Sequence, residues 1–444
     1  MKFTKRLVVA AVAIWTAVWP AVASAGPAVI RDAEIEDIMR GYATPLLQAA
    51  GLAPGDVDLV LVNDSAINAF VAGGQNIFIF TGLLRQAESP DEVIGVLAHE
   101  IGHIEGGHLV RLGPELERAS TQAILATILG VAAAIASGRG DVGAAVVAGG
   151  QGTAQRNLLA HTRVQESAAD QAAFRYLAAT GRSGRGLADL LGRLVDQELI
   201  SSRYQDEYVR THPLSRDRLQ TAERFIARSG GRTASPAEQA RFRRAQAKLA
   251  GFIDPPLLTL DRYKGDDADS RYARAIAHHR RGDLAQAIPL IDSVIKEEPN
   301  NPFAIELKGQ ILFENGRVQE AVKAYAEAVR MRPNDAVLLA PAAHAFVESG
   351  DPKRIDQAVD MLQRATLEEA RNPSAWRQLG IALGKQGKIG DASVALAESF
   401  MLTESYADAA IQARRAQQAL PKGSTGWLKA DDILQAAERA RKDR

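Results

Sequence analysis

Gly282 and Gly316 stand 34 residues apart, as do Ala287 and Ala321, and Pro299 and Pro333. Gly350 continues the period. The next alanine in the series, Ala358, comes three residues late, and the next glycine, Gly387, follows after 37. One unit therefore carries a three-residue insertion after Gly350. Gly387 to Ala392 restores the glycine-to-alanine spacing of five. Seven residues before each glycine stands a small residue: Ala275, Gly309, Ala343 and Gly380. A small residue on a first helix lets a second helix pack close. The glycine makes the turn, and the alanine sits on the second helix. A unit of this size cannot bury its apolar face alone, so neighbours must stack into a solenoid.

Trp376-x-x-Leu379-Gly380 and the recurring prolines match the tetratricopeptide repeat (TPR) pattern. Residues 267–420 are expected to form an all-α TPR solenoid, with a helical tail over 421–444. Such arrays offer a concave surface to extended peptides or helices; a solenoid without a client is the alternative. The rest of the 444-residue chain has room for a further domain. Lys and Arg number 53 and acids 53, so no excess of positive charge points to nucleic acid as a partner.

The chain opens with a cationic segment, MKFTKR, then an apolar run from Leu7 to Val22, then the small-x-small pattern Ala23-Ser24-Ala25. This reads as a secretory signal peptide over residues 1–25, and it places the protein in the periplasm. An uncleaved anchor in the inner membrane is the alternative, because the apolar run exceeds the usual ~7–15 residues. Cleavage removes Lys2, Lys5 and Arg6 and no acid, leaving 50 basic against 53 acidic side chains. With no cysteine in the chain, stability has to come from core packing rather than disulfides.

Residues 28–50 predict a helix, with Ile30, Ile35, Ile38, Met39, Leu46 and Leu47 as its apolar set. Val57 to Val62 predicts a strand. Asn68 to Leu84 predicts two short strands around Gly73-Gly74, the second apolar on both faces. In Ser89-Pro90-Asp91-Glu92, Ser89 suits an N-cap, Pro90 the first helical position, and Glu92 the far side of a capping box. Two uncharged stretches, Ala119–Ser137 and Val142–Gly152, predict a buried or interfacial helical hairpin. Contact between 119–137 and a membrane surface is the alternative. Residues 155–180 and 184–200 predict helices, and the Gly/Ser/Pro-rich 227–238 predicts a domain boundary.

The helix that begins at Pro90 carries His99-Glu100-Ile101-Gly102-His103, an H-E-x-x-H pattern. Positions i and i+4 share a helix face, so both imidazoles can meet one zinc ion. Glu100 is rotated by about 100° and lies beside that ion, placed to take a proton from an activated water. Catalytic zinc needs a third protein ligand. The histidine-ligand class would place it at position 109, which is Leu; His108 comes one residue early and reads as a supporting or surface residue. The other common source is a glutamate on a later helix. Arg163 to Leu177 offers Glu166, with Asp170 at i+4 to accept a hydrogen bond from a ligating imidazole. Ala168, Ala169, Ala172 and Ala173 flank these acids and suggest close helix packing.

Together, "NAFVAGGQNIFIFTGLL", "HEIGH", "RVQESAAD" and "THPLSRDRL", in this order and followed by TPR units, resemble the zinc metallopeptidases of the HtpX, Oma and CAAX-prenyl-protease type. The likeness is to their secreted, TPR-bearing bacterial branch. The resemblance implies one zinc per chain on His99, His103 and Glu166, with Glu100 as general base. It implies that Asp170 orients a histidine and that Arg218 supports the site. His212 then lies near the metal, where it either stabilises an oxyanion or fills the open position. The strand Asn76, Ile77, Phe78, Ile79 and Phe80 matches the family's edge strand, which pairs with substrate backbone.

The expected fold is an α+β zincin-like domain, mostly helical with a small sheet, over 26–230. A connector over 231–266 leads to the TPR solenoid. The expected activity is hydrolysis of peptide bonds in misfolded or stalled outer-membrane proteins. The repeats would bind clients or components of an outer-membrane β-barrel assembly machine. The rival reading is a TPR scaffold or chaperone with a latent protease site.

Overall fold

The structure, a computed structural model, describes residues 29–72, 74–108, 163–195, 208, 212 and 216–442. The expected signal peptide and the stretches 119–137 and 142–152 lie outside the described residues.

Four strands form one sheet: β1 (Val29–Ile30), β2 (Asp58–Val62), β3 (Ala69–Ala72) and β4 (Asn76–Phe80), in spatial order β1-β2-β4-β3. The first helix, α1 (Ala33–Ala49), starts later than its periodicity suggests. Val29 and Ile30 pair with Val62 and Leu61 instead, and the Asp32 carboxylate then caps the helix by accepting from the Ile35 N–H.

One expectation is overturned here. The strand of Asn76, Ile77, Phe78, Ile79 and Phe80 is β4, and it is not an edge. It pairs in parallel with β2 on one side and antiparallel with β3 on the other, so both rows of its backbone groups are used. A strand that is apolar on both faces belongs inside a sheet. The outer strand next to it is β3.

Helices α2 (Thr81–Gln86), α3 (Pro90–Glu105), α4 (163–179), α5 (Arg185–Leu194) and α6 (Arg216–Ser229) complete this half. Its core joins Ile38, Leu46 and Leu47 of α1 to Ile77 and Ile79 of the sheet, Val93, Leu97 and Ile101 of α3, Leu177 of α4 and Leu190 of α5. Burying such a side chain stabilises by roughly 1.5–3 kcal/mol. α3 starts at Pro90 as its sequence predicts, but the capping box does not form. The Ser89 side chain makes no cap bond, and Arg193 on α5 holds both Glu92 oxygens at 2.7 Å.

Residues 231–266 hold α7 (Pro236–Ile253) and α8 (Pro256–Arg262). α7 is a wall of two cores. Its Phe242, Ala245 and Leu249 join the core of the first half. On its other side Gly251 lies so near α9 (Ala268–Arg280) that a Cβ there would stand 2.8 Å from Ile276.

From α9 onward the chain is a stack of helical hairpins. α9 turns into α10 (Leu284–Glu297), α11 (Pro302–Glu314) into α12 (Val318–Met331), α13 (Ala336–Glu348) into α14 (Pro352–Glu368), and α15 (Pro373–Lys385) into α16 (Ile389–Leu402). The turn glycines Gly282, Gly316, Gly350 and Gly387 have φ of 73°, 77°, 72° and 77°, a left-handed conformation that glycine adopts without steric cost. Ala275 and Ala343 are fully buried, and a Cβ on Gly309 would press 3.0 Å against the Tyr325 ring. The three-residue insertion is absorbed as helix: α14 has 17 residues where α10, α12 and α16 have 14. A fifth hairpin follows, α17 (Tyr406–Ala419) and α18 (Thr425–Lys442). It packs onto α16 through Ala397, Ala413, Ala416, Ala430 and Ile433.

The two halves are joined by more than α7. The N-terminal end of α1 rests on the repeats, with Ala33 inside their core. The buried ammonium of Lys248 on α7 lies 2.8 Å from Asp32 and 3.3 Å from Glu34, and the Tyr272 hydroxyl donates to Glu34 at 2.8 Å. Asp37 bridges Arg241 at 2.5 Å and Arg332 at 2.6 Å, and Arg31 pairs with Glu369 on the chain that follows α14. Among the described residues, no helix is long and apolar enough to cross a membrane.

Candidate metal centre

The apolar face of α3 sets the position of its histidines. Val93, Val96, Leu97 and Ala98 are buried, which turns His99, Glu100 and His103 toward α4 and the sheet. α4 comes very close: a Cβ on Gly102 would stand 2.8 Å from the Ala169 carbonyl oxygen. Ala169, Ala172 and Ala173 are buried at this contact, whereas Ala168 faces outward. Close approach of α3 and α4 brings Glu166 and Asp170 to the histidines.

The structure gathers His99, His103, Glu166 and His212, with one donor atom from each lying within 4.8 Å of the others. The two Nε2 atoms of His99 and His103 are 3.0 Å apart. Glu166 lies 3.2 Å from His99 Nε2 and 3.3 Å from His103 Nε2. His212 Nδ1 lies 3.3 Å from both Glu166 Oε2 and His99 Nε2.

The chemistry of these donors fits a bound cation. The Asp170 carboxylate, an acceptor only, takes the Nδ1–H of His99 at 2.9 Å. The His99 Nε2 lone pair therefore points into the cluster, toward another imidazole nitrogen and a carboxylate. Burial opposes charge on His99, yet the Asp170 and Glu166 carboxylates outweigh burial and raise the imidazole to about 10; the pocket favours positive charge at this ring, which a cation on the Nε2 lone pair would supply in place of a proton. Burial also raises Asp170, but the Arg218 charge and the His99 bond hold its carboxyl down to about 2. Imidazole and carboxylate donors of this kind suit zinc among the common metals.

Arg218 on α6 grips both acids. It donates to Asp170 from Nε at 2.7 Å and from an Nη at 2.9 Å, and its other Nη lies 2.9 Å from Glu166. Glu100 is fully buried, and among the described residues neither of its oxygens accepts a hydrogen bond. Its near polar neighbour is His212, whose Nε2 is 3.5 Å from Oε1. The same Nε2 lies 3.1 Å from the carbonyl oxygen of Ala69, the first residue of β3. The site thus lies against β3.

Two neighbours complete the surroundings: His108, read from the sequence as a supporting or surface residue, and Tyr208, which sequence reasoning missed. His108 packs on the far side of His103, with the two Nδ1 atoms 2.9 Å apart. Its five-residue offset from His103 is a poor match to ligand spacing, which hides a supporting place behind a ligand. Tyr208 is buried and stacks on His212, ring centroids 4.7 Å apart. Its signal was the i, i+4 spacing, made real by a bond from the His212 N–H to the Tyr208 carbonyl at 2.8 Å.

Comparison with known proteins finds a family match in each half of the chain. Residues 30–226 match peptidase family M48, and tetratricopeptide repeats match 237–302, 272–336 and 312–379. The chain is 26% identical over 352 residues to a β-barrel assembly-enhancing protease of Yersinia pestis, which covers 77% of this chain and 71% of that one. It is 25% identical over 382 residues to the protein of the same name in Escherichia coli (strain K12), covering 84% and 77%. A putative one from Vibrio cholerae is 24% identical over 425 residues, covering 91% and 84%. The chain carries a peptidase family M48 domain followed by tetratricopeptide repeats, and it is a metalloendopeptidase.

Proposed function

We propose that this metalloendopeptidase is a zinc enzyme of the periplasm that cleaves misfolded or stalled outer-membrane proteins. His99, His103 and Glu166 would hold the ion. The observation that carries this reading is the meeting of two imidazoles and a carboxylate beside Glu100, a buried carboxylate that accepts no hydrogen bond among the described residues. When bound, zinc supplies Lewis acidity, which lowers the pKa of a water towards ~7 and polarises a peptide carbonyl. Glu100 accepts the proton of the attacking water on its carboxylate and delivers it to the leaving amine. Asp170 fixes the His99 ring, and Arg218 fixes Asp170.

A substrate segment would add to β3, whose outer side carries no strand among the described residues and whose Ala69 touches His212. The name of the relatives supports β-barrel proteins as clients and assembly components as partners of the repeats. Units over 26–230 and 267–420, joined by 231–266, would divide catalysis from client binding. Contact of 119–137 with a membrane surface would belong to the same role.

Zinc analysis of the mature protein tests the metal. About one zinc per chain is expected, lost in Glu166→Gln; a wild type that takes up no zinc when it is supplied would sink the proposal. Glu100→Gln should keep the metal and lose cleavage by about 10²–10⁴-fold, as removal of a general base does.

A second reading has its own observation. His212 Nδ1 belongs to the donor group, and a fourth protein donor leaves zinc without the open position that catalysis needs. The chain would then act as a TPR scaffold with a latent site. Under that reading, cells carrying Glu100→Gln keep the protein's function.

A further inference from the structure

Glu306 on α11 is only 9% exposed, and among the described residues its carboxylate has no hydrogen bond or ion pair. The cation that acts on it, Lys248, is already engaged by Asp32 and Glu34. Three carboxylates thus share one ammonium where α1 meets the repeats. Glu306 also borders a cavity of about 420 Å³ between α11, α13 and the start of α1. Phe313, Tyr325 and His344 form its aromatic side, with the His344 ring edge-on to Phe313 at 5.0 Å. Arg31 at its rim is held by Glu36 and Glu369 and is not free to neutralise Glu306.

A cavity with an aromatic side, lined also by the acids Asp32, Glu306 and Glu314, matches a group with a greasy stem and a cationic end. We propose that this cavity is a subsite for the basic side chain of a bound peptide, with Glu306 pairing its charge and Phe313 and His344 flanking its stem. Burial raises the Glu306 carboxyl to about 7 against the pull of Lys248, so an arriving ammonium finds an acid ready to ionise. The subsite lies on α11 and α13, the first helices of successive hairpins, and a peptide lying across them would present one side chain to it. The inference is independent of the catalytic reading, because binding is measured and not cleavage.

The test uses the full chain carrying Glu100→Gln, so that no peptide is cut. The probes are Ac-Ala-Ala-Lys-Ala-Ala-amide and its norleucine twin, followed by the methyl resonances of Val337, which lines the cavity. The lysine peptide is expected to shift Val337 and to bind about tenfold more tightly than its twin, the usual worth of a charge-assisted bond. Glu306→Gln should erase that preference. Equal binding of the two peptides, a lysine preference that survives Glu306→Gln, or binding that leaves Val337 unmoved would each overturn the proposal. Glu306→Gln removes a like charge from beside Asp32 and Glu34, so it is expected to fold. Should it not, the comparison of the two peptides on the unaltered cavity decides alone.

Discussion

In the candidate metal centre, each imidazole of the H-E-x-x-H pattern has a partner on its far side. His99 has Asp170 behind it and His103 has His108. Asp170→Asn keeps the shape of that support but removes its charge, and with it half of the Arg218 clamp. Zinc affinity should fall about 10–100-fold, read by competition with a chelator; an unchanged affinity would show that the orientation of His99 is set elsewhere. At this scale the sequence was informative about His99, Glu100, His103, Glu166 and Asp170, because helical spacing converts directly into shared faces. It left His108 open between a supporting and a surface place and did not single out Tyr208, because what they touch depends on how the chain folds back after α3 and α4.

The elements show how far local pattern reaches. Ser89-Pro90-Asp91-Glu92 and Ser235-Pro236-Ala237-Glu238 are the same helix-start signal, yet only the second makes its capping box. Arg193 takes Glu92 first, and no local pattern names a partner about a hundred residues away. The sheet repeats the lesson. The family resemblance suggested an edge for β4; pairing order, a property of the whole sheet, settles it for the interior, a place that its two apolar faces suit.

Glu238 also allows a prediction about pH. Burial raises its carboxyl, but bonds from Arg232, the Ser235 N–H and Arg182 outweigh that and hold it down to about 2. A depressed acid stabilises the fold fully above its unfolded value, ~4.3, and that contribution fades as pH falls towards 2. The melting temperature of wild type should therefore exceed that of Glu238→Gln at pH 6, and the gap should close by pH 2. A gap independent of pH would mean that Glu238 acts by packing alone.

For the whole molecule, the repeat period made the solenoid legible, down to the insertion that lengthens α14. The seam between the halves was not legible, since Asp32, Glu34, Asp37 and Arg332 carry no periodic signal. Lys248 is the charge on which that seam closes. Lys248→Ala would leave Asp32 and Glu34 facing each other without a cation, at a cost of roughly 3–5 kcal/mol for a broken buried pair. Protease sensitivity between α6 and α9 should rise with it. Stability and protease resistance equal to wild type would show that the seam is held by apolar contacts alone.

Because α7 is a wall of both cores, the molecule has a strut where a two-domain protein usually has a hinge. Tension on a client held by the repeats would pass into α7, whose Phe242 and Leu249 share a core with Val93 and Leu97 of α3. Pulling on the solenoid therefore loads the catalytic half directly, and the protein would answer force as a single lever.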